Sequence, residues 1–325
     1  MRVESAKLEI KNQKQEPNAK KSEKTSRIDK KKLILSSNII RIMTLVADSG
    51  STKTAWCLTE APTHIIHTQG INPFQQNEEE IRAVLENELL PTLGSAATSI
   101  TAIHFYGAGC TPEKAPIVKA ALKAIFTSST HIDVESDMLG AARGLCGHQA
   151  GIVCILGTGS NSCYYDGREL HSGIPALGYI LGDEGSGAYI GKRLVGDIFK
   201  QQLPADLRTL FFEETRETQA TIIQKVYRTP LPNRFLASFS PFCARHREHP
   251  AIHAFLLDCF GQFFRRNILP ATWHDASSTI NFVGSIAHHY RDELTEAAHL
   301  HGYTVGTILQ APLEGLVAYH RASAR

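Results

Sequence analysis

Long apolar runs are missing from this 325-residue sequence. Its most apolar segments, 151–156 and 280–286, are strand-length, well short of the roughly 18 to 20 residues a membrane-spanning helix requires. No membrane association is expected. Paired cysteines are missing too: the seven are odd in number, scattered and without a C-x-x-C, which argues against a disulfide framework or a structural zinc site. Several lie in apolar runs, where a free thiol behaves as a small hydrophobe, and the pattern fits a reducing cytoplasm. The fifteen histidines contain no H-E-x-x-H, so His288-His289 and the rest read as solvated or internally satisfied. Neither the G-x-x-x-x-G-K-[ST] nor the G-x-G-x-x-G phosphate loop occurs. What is present is apolar material, 42% of all residues, enough for one large or two ordinary domains.

The net charge of +2 conceals an asymmetry. Residues 1–42 carry 12 Lys/Arg against 5 Asp/Glu, leaving 22 against 27 in the remainder, so the body is mildly acidic and nucleic-acid binding by it is not expected. The Lys-rich segment resembles neither a transit peptide, since Glu4, Glu9, Glu16 and Glu23 interrupt it, nor a secretory signal, since it has no apolar core. It reads as a disordered basic leader, with an arm for nucleic acid or a membrane surface as the alternative. Met43, just before the first strand, is a second candidate start of translation.

From Met43 the chain reads strand (44–47), polar turn, strand (55–58), a β-hairpin. A second such unit starts at Gly151: the run 152–156, the turn Gly157-Thr158-Gly159-Ser160-Asn161-Ser162, then Cys163-Tyr164-Tyr165. Between them lie helical patterns over 78–88 and 112–126 and strand-like runs over 100–106 and 131–134. Helices are expected around 186–199, 203–214, 218–226 and 252–268, then a strand at 279–283, a helix over 286–297, a strand at 303–309 and a helix over 313–322. This order predicts two similar α/β halves with a cleft between them, hinged near 134–137. Residues 43–135 form the first half, joined by a returning C-terminal helix at about 310–325, and 136–309 form the second.

Gly50, Gly157 and Gly159 let backbone approach an anion, while Ser51, Thr52, Thr158 and Ser160 add hydroxyl donors. Two such turns facing each other suit a triphosphate, although either alone is ordinary hairpin chemistry. Asp48, at a strand end beside the first turn, is the kind of ligand that holds Mg²⁺ through water, or it merely stabilises the turn. Asp137 follows a strand and precedes the small-residue run 140–144. It is either a helix cap, a role Ser136 shares, or a cleft carboxylate that accepts a proton from an attacking hydroxyl. In Gly182-Asp183-Glu184-Gly185-Ser186-Gly187, three glycines around two carboxylates exceed what a cap needs and suit a polyol pocket. Asn72-Pro73-Phe74 by itself is an ordinary turn.

In this order the motifs resemble those of the superfamily that joins sugar kinases, heat-shock cognate chaperones and actin, and within it the BadF/BadG/BcrA/BcrD ATPase family, N-acetylglucosamine kinase branch. Residues 48–54 resemble the first phosphate motif, 157–161 the second, and Phe282-Val283-Gly284-Ser285-Ile286-Ala287 the adenosine motif. Gly178-Tyr179-Ile180-Leu181-Gly182-Asp183-Glu184-Gly185-Ser186 is the most diagnostic run. The resemblance implies two RNase H-like (actin-like ATPase) domains closing over ATP, Mg²⁺ and an amino sugar. Ser51, Thr52, Lys53, Gly157, Thr158 and Gly159 would then serve the phosphates, and Gly284 and Ser285 the adenosine. Asn72, Asn161 and Asp183 would bind the sugar, and Asp137 would deprotonate its 6-hydroxyl. Pro175-Ala176-Leu177-Gly178 stands where the eukaryotic-type pattern has Gly-Gly-Trp-Gly, so Ala176 and Leu177 form a changed pocket wall.

The implied activity is phosphorylation of N-acetylglucosamine to its 6-phosphate. N-acetylmuramic acid and glucosamine are alternatives, because the changed wall falls where a lactyl or acetyl group would be sensed. An ATPase that activates 2-hydroxyacyl-CoA dehydratases through an iron–sulfur cluster is the competing class, and a sugar sensor without catalysis is a third. A homodimer is left open.

Overall fold

A computed structural model describes residues 43–50 and 52–323. The leader at 1–42 and Ser51, one of the expected ATP-binding residues, lie outside the described residues. Among those described, no helix is long and apolar enough to cross a membrane.

Among the described residues, ten strands form two five-stranded sheets of the same topology. The first comprises β1 (Met43–Ser49), β2 (Lys53–Leu58), β3 (Ile65–Gln69), β4 (Ile100–Gly107) and β5 (His131–Ser136), in the order β3-β2-β1-β4-β5. β1 is antiparallel to β2 and β2 to β3, whereas β4 and β5 run parallel to β1. The second repeats this as β8-β7-β6-β9-β10, from β6 (Gly151–Leu156), β7 (Ser160–Tyr165), β8 (Leu170–Ser172), β9 (Thr279–Val283) and β10 (Thr304–Leu309). Each opens with a hairpin whose turn leads back from the carboxyl end of a central strand. β1 and β6 are buried along nearly their whole length because helices cover both faces, so they read as continuous apolar runs.

On one face of the first sheet, Leu45, Ala47, Trp56 and Phe105 pack with helices α1 (Glu78–Val84) and α2 (Ala115–Ile125). A capping box starts α1: the Asn77 side chain accepts from the Glu80 amide while Glu80 accepts from the Asn77 amide. The expected 78–88 helix extends further, as a π-turn over Leu85–Leu89 and a last turn over Leu90–Leu93, next to Pro91, which has no amide to donate. On the other face, Val46, Ala55, Cys57 and Tyr106 meet the C-terminal helix.

Helix α3 (Asp137–Cys146) is shared by both sheets. Its Met138, Ala141 and Ala142 join Val153, Cys163 and Val283 of the second sheet. A methyl group at Gly140 would lie 2.8 Å from the Tyr106 Cβ of the first sheet, and one at Gly144 would lie 2.8 Å from Pro312. The small-residue run at 140–144 is thus what a helix wedged between two sheets requires. The larger core surrounds α4 (Gly187–Phe199) and α5 (Pro250–Phe263), with Phe211, Phe242, Phe260, Phe263, Phe264 and Phe282 fully buried, each contributing about 1.5 to 3 kcal/mol of transfer free energy. Two short helices, Pro232–Ala237 and Ser240–Arg245, and strands β3 and β8 go beyond the sequence-based expectation. The expected 286–297 helix is two: Ser285–His289 and α6 (Arg291–Leu300), parted at Tyr290, whose φ of −111° and ψ of 35° leave the helical range while its buried hydroxyl donates to the Ser240 carbonyl. Helix α7 (Leu313–Ser323) closes the chain against α3, where Gly315 faces the Gly144 carbonyl.

Candidate active site

In the first sheet, Asp48 pairs across to Tyr106, and Gly107 to Ser136, so the carboxyl ends of β1, β4 and β5 form one rim. In α/β folds this rim is where ligands bind. Asp48 occupies it from β1 and Asp137 from the start of α3. Ser136 caps that helix, its hydroxyl accepting from the Leu139 amide at 3.2 Å, so Asp137 is not the cap. Its carboxylate accepts from the adjacent Met138 amide, at 2.9 Å.

Both carboxyls are pushed up. Burial, then the neighbouring Asp137, raises Asp48 from 3.8 to about 7 against the pull of Lys53. Burial raises Asp137, opposed by its own and the Met138 backbone amides. Two carboxylates sharing a partly dehydrated rim repel each other, and a hard divalent cation would relieve that repulsion, so this donor set fits Mg²⁺. Cys110, buried beside the rim, is a neutral thiol pushed up to about 12 by burial and by Asp137.

The first turn is braced from behind. The Ser49 hydroxyl donates to the Ile71 carbonyl at 2.9 Å, accepts from the Ile71 amide at 3.0 Å and meets the Thr54 hydroxyl at 2.6 Å. The Gly70 amide donates to the Thr52 carbonyl, and the Gly50 amide to Lys53. Two motif residues, Ser49 and Thr54, are therefore anchors, while Thr52 and Lys53 remain exposed at the tip. The brace leads directly into Asn72, which is buried against Gly109. A methyl group there would sit 2.4 Å from the Asn72 Oδ1, and Gly109 has φ of +80°. Asn72 Oδ1 accepts from the Phe74 amide at 2.9 Å, an Asx turn that occupies its oxygen and leaves its amide nitrogen as the group for a ligand. A groove of about 550 Å³ opens beside this turn, lined by Thr52, Gly70, Gln76, Glu80, Asn87 and Arg234 among others.

The second turn sits in the opposite half. The Gly157 and Thr158 carbonyls accept from the Gly187 and Ala188 amides at the start of α4, and the amides of Thr158 and Gly159 have no partner among the described residues. Such donors in a glycine turn suit an anion. Gly284, with φ of +125°, fits against this turn so closely that a methyl group would lie 2.3 Å from the Leu156 carbonyl. The structure thus brings Gly284 against the turn at 157–159, and Ser285 beside them is exposed.

Asp183, at φ of +57°, accepts from the Ser160 amide at 3.3 Å, and its other carboxylate oxygen abuts Gly159. Burial raises this carboxyl. Ser186 caps α4, accepting from the Tyr189 amide, which separates the capping role from Asp183. Glu184 points the other way: buried, it accepts from Asn267 at 3.2 Å and pairs with Arg266 at 3.2 Å, while Ser162 donates to the Asn267 carbonyl. It braces the loop, a role that spacing alone does not distinguish from that of Asp183. Asn161 lies on β7 and accepts from the Ser162 amide. Leu177 and Ala176 are both exposed; the Leu177 Cβ lies against Gly182, beside Asp183, and Ala176 has no hydrogen bond to these residues among those described. No hydrogen bond links Asn72 with Asp183 or Asn161 among the described residues.

All seven cysteines are free, and six are buried. Burial drives the thiols up, Cys163 and Cys259 to about 12 and Cys146 to about 11, as for cysteines that pack as small hydrophobes.

The chain is 48% identical to a candidate N-acetylglucosamine kinase from Porphyromonas gingivalis, over 87% of this chain and 100% of that one, with a TM-score of 0.83. A candidate N-acetylglucosamine kinase from Chromobacterium violaceum shares the fold at 17% identity and a TM-score of 0.65, over 86% of this chain and 99% of that one. No protein-family model matches the sequence, and a search of curated proteins finds no match.

Proposed function

The chain belongs to the same family as the Porphyromonas gingivalis candidate N-acetylglucosamine kinase, and from that kinship we propose that it is an ATP-dependent sugar kinase acting on an N-acetylhexosamine. The preferred substrate is N-acetylglucosamine, the product its 6-phosphate, and the wider grouping the BadF/BadG/BcrA/BcrD ATPases. The observation that carries the reading is the carboxylate pair Asp48 and Asp137 on the rim, adjacent to a braced glycine turn.

Phosphoryl transfer needs positioning and charge stabilisation more than covalent chemistry. The turn amides at 158–159 and the tip residues Thr52 and Lys53 hold the phosphates, and Gly284 and Ser285 border the nucleoside. Asp48 is the residue to hold Mg²⁺, which when bound neutralises phosphate charge. Asn72 and Asn161 offer amides, and Asp183 a carboxylate, to the sugar hydroxyls and acetamido group. Asp137, free of the capping role, accepts the proton of the attacking 6-hydroxyl and orients its oxygen. Burial raises its affinity for protons, the direction a general base needs.

A coupled ADP-release assay across N-acetylglucosamine, N-acetylmuramic acid, glucosamine, N-acetylmannosamine and glucose tests the proposal. The highest kcat/KM is expected with N-acetylglucosamine. ADP release that no sugar stimulates would refute it.

A further inference from the structure

His104 on β4 stands directly opposite Asp133 on β5, and His131 lies two residues before Asp133 on the same strand. Side chains two apart on a strand share a face, so the parallel pairing gathers all three on one side of the first sheet. His104 Nδ1 lies 3.3 Å and His131 Nε2 2.6 Å from the same Asp133 carboxylate oxygen, and the three candidate ligand atoms fall within 4.8 Å of one another. We propose that His104, Asp133 and His131 form a binding site for a transition-metal dication of the zinc class, separate from the kinase rim.

Zinc binds imidazole nitrogen and carboxylate oxygen at about 2.0 to 2.2 Å, so neighbouring ligands in a tetrahedron lie about 3.3 to 3.5 Å apart. The His104 to Asp133 separation already has that value. His131 must retreat by less than 1 Å, and it is free to do so: its side chain is 58% exposed, against 15% for His104. The metal takes the place of the proton in the hydrogen bond between His131 and Asp133; the neutral His131 ring then carries its one proton on Nδ1, exchanged through solvent, and binds the metal through Nε2.

His104 is the fixed point. Its ring stacks on His320 of α7 with centroids 3.7 Å apart and planes 12° from parallel. His320 Nε2 is in turn 2.9 Å from the Tyr106 hydroxyl, which accepts from Arg143 at 2.8 Å. This chain runs from α3 through β4 to α7 and holds the His104 ring in place, as an outer shell does for a metal ligand. Three protein ligands leave a fourth position open on the solvent side, for water or for a donor from another molecule. Among the described residues, the other histidine–carboxylate contacts, such as His171 with Asp166 and His253 with Glu296, lack a third ligand.

The test is calorimetric titration of the full chain with zinc chloride, with magnesium in large excess to occupy oxygen-only sites. Zinc binding is expected in the parent. His131→Ala and Asp133→Asn each lower affinity by at least about tenfold, the least that losing even an outer-shell partner costs. His171→Ala, the control, leaves it unchanged. Near-ultraviolet dichroism of each variant checks the fold, and the exposed His131 gives the safest one. No zinc binding by the parent, or equal binding by a folded His131→Ala, would overturn the site.

Discussion

Asp48 carries an electrostatic cost in the metal-free protein. Its carboxyl titrates near 7 in the folded chain against an ordinary 3.8, so the native state holds the proton more tightly than the unfolded state does. The stability this gives is fully present below about pH 4 and is lost as pH rises through about 7. In magnesium-free buffer Asp48→Asn should flatten the pH dependence over that range. At pH 8 it should melt at least about 2 °C above the parent, equivalent to about 1 kcal/mol or less. Magnesium should raise the melting temperature of the parent and not of the variant. The Asp183 carboxylate accepts from the Ser160 amide, and in the proposed reaction it also binds the sugar hydroxyls. Asp183→Ala should raise the sugar KM by about 10- to 150-fold, one charge-assisted hydrogen bond being worth about 1.5 to 3 kcal/mol. A smaller rise in the ATP KM follows from the loosened turn, and steady-state kinetics with each substrate varied separates the two.

Helix α3 explains several features that look unrelated one residue at a time. It starts at Asp137, and its small residues allow two sheets and α7 to approach it. Gly315→Ala would place a methyl group 2.0 Å from the Gly144 carbonyl, so the two helices must part. The variant should lose about 1 to 3 kcal/mol, read as a lower urea midpoint with the m-value unchanged. The paired hairpins and the C-terminal helix were legible in the sequence because alternation, glycine turns and apolar periodicity are local signals. β3, with only Ile66 and Thr68 of one face buried, spans only 65–69 and was obscured by the polar His67 and Thr68. The break at Tyr290 depends on a distant carbonyl, that of Ser240, and no local pattern announces it. In the same way Asp183 and Glu184 are neighbours of one chemistry, and only the placement of Arg266 and Asn267 shows which of them is a brace. The His104–Asp133–His131 group was illegible because its spacing is set by strand pairing.

Across the whole molecule, two sheets of one topology present glycine turns from their first hairpins, and α3, which packs against both sheets, starts with the Asp137 carboxylate. The proposed kinase reaction follows from that arrangement, with the base on the element that both halves share. The most direct measurement is the turnover of Asp137→Asn with N-acetylglucosamine and ATP. The substitution is nearly isosteric, and Ser136 still caps the helix, so folding and both KM values should be retained. General-base catalysis is worth about 10² to 10⁴ in rate, and kcat should fall by at least that lower bound. A folded variant that keeps kcat within about threefold of the parent would contradict the account.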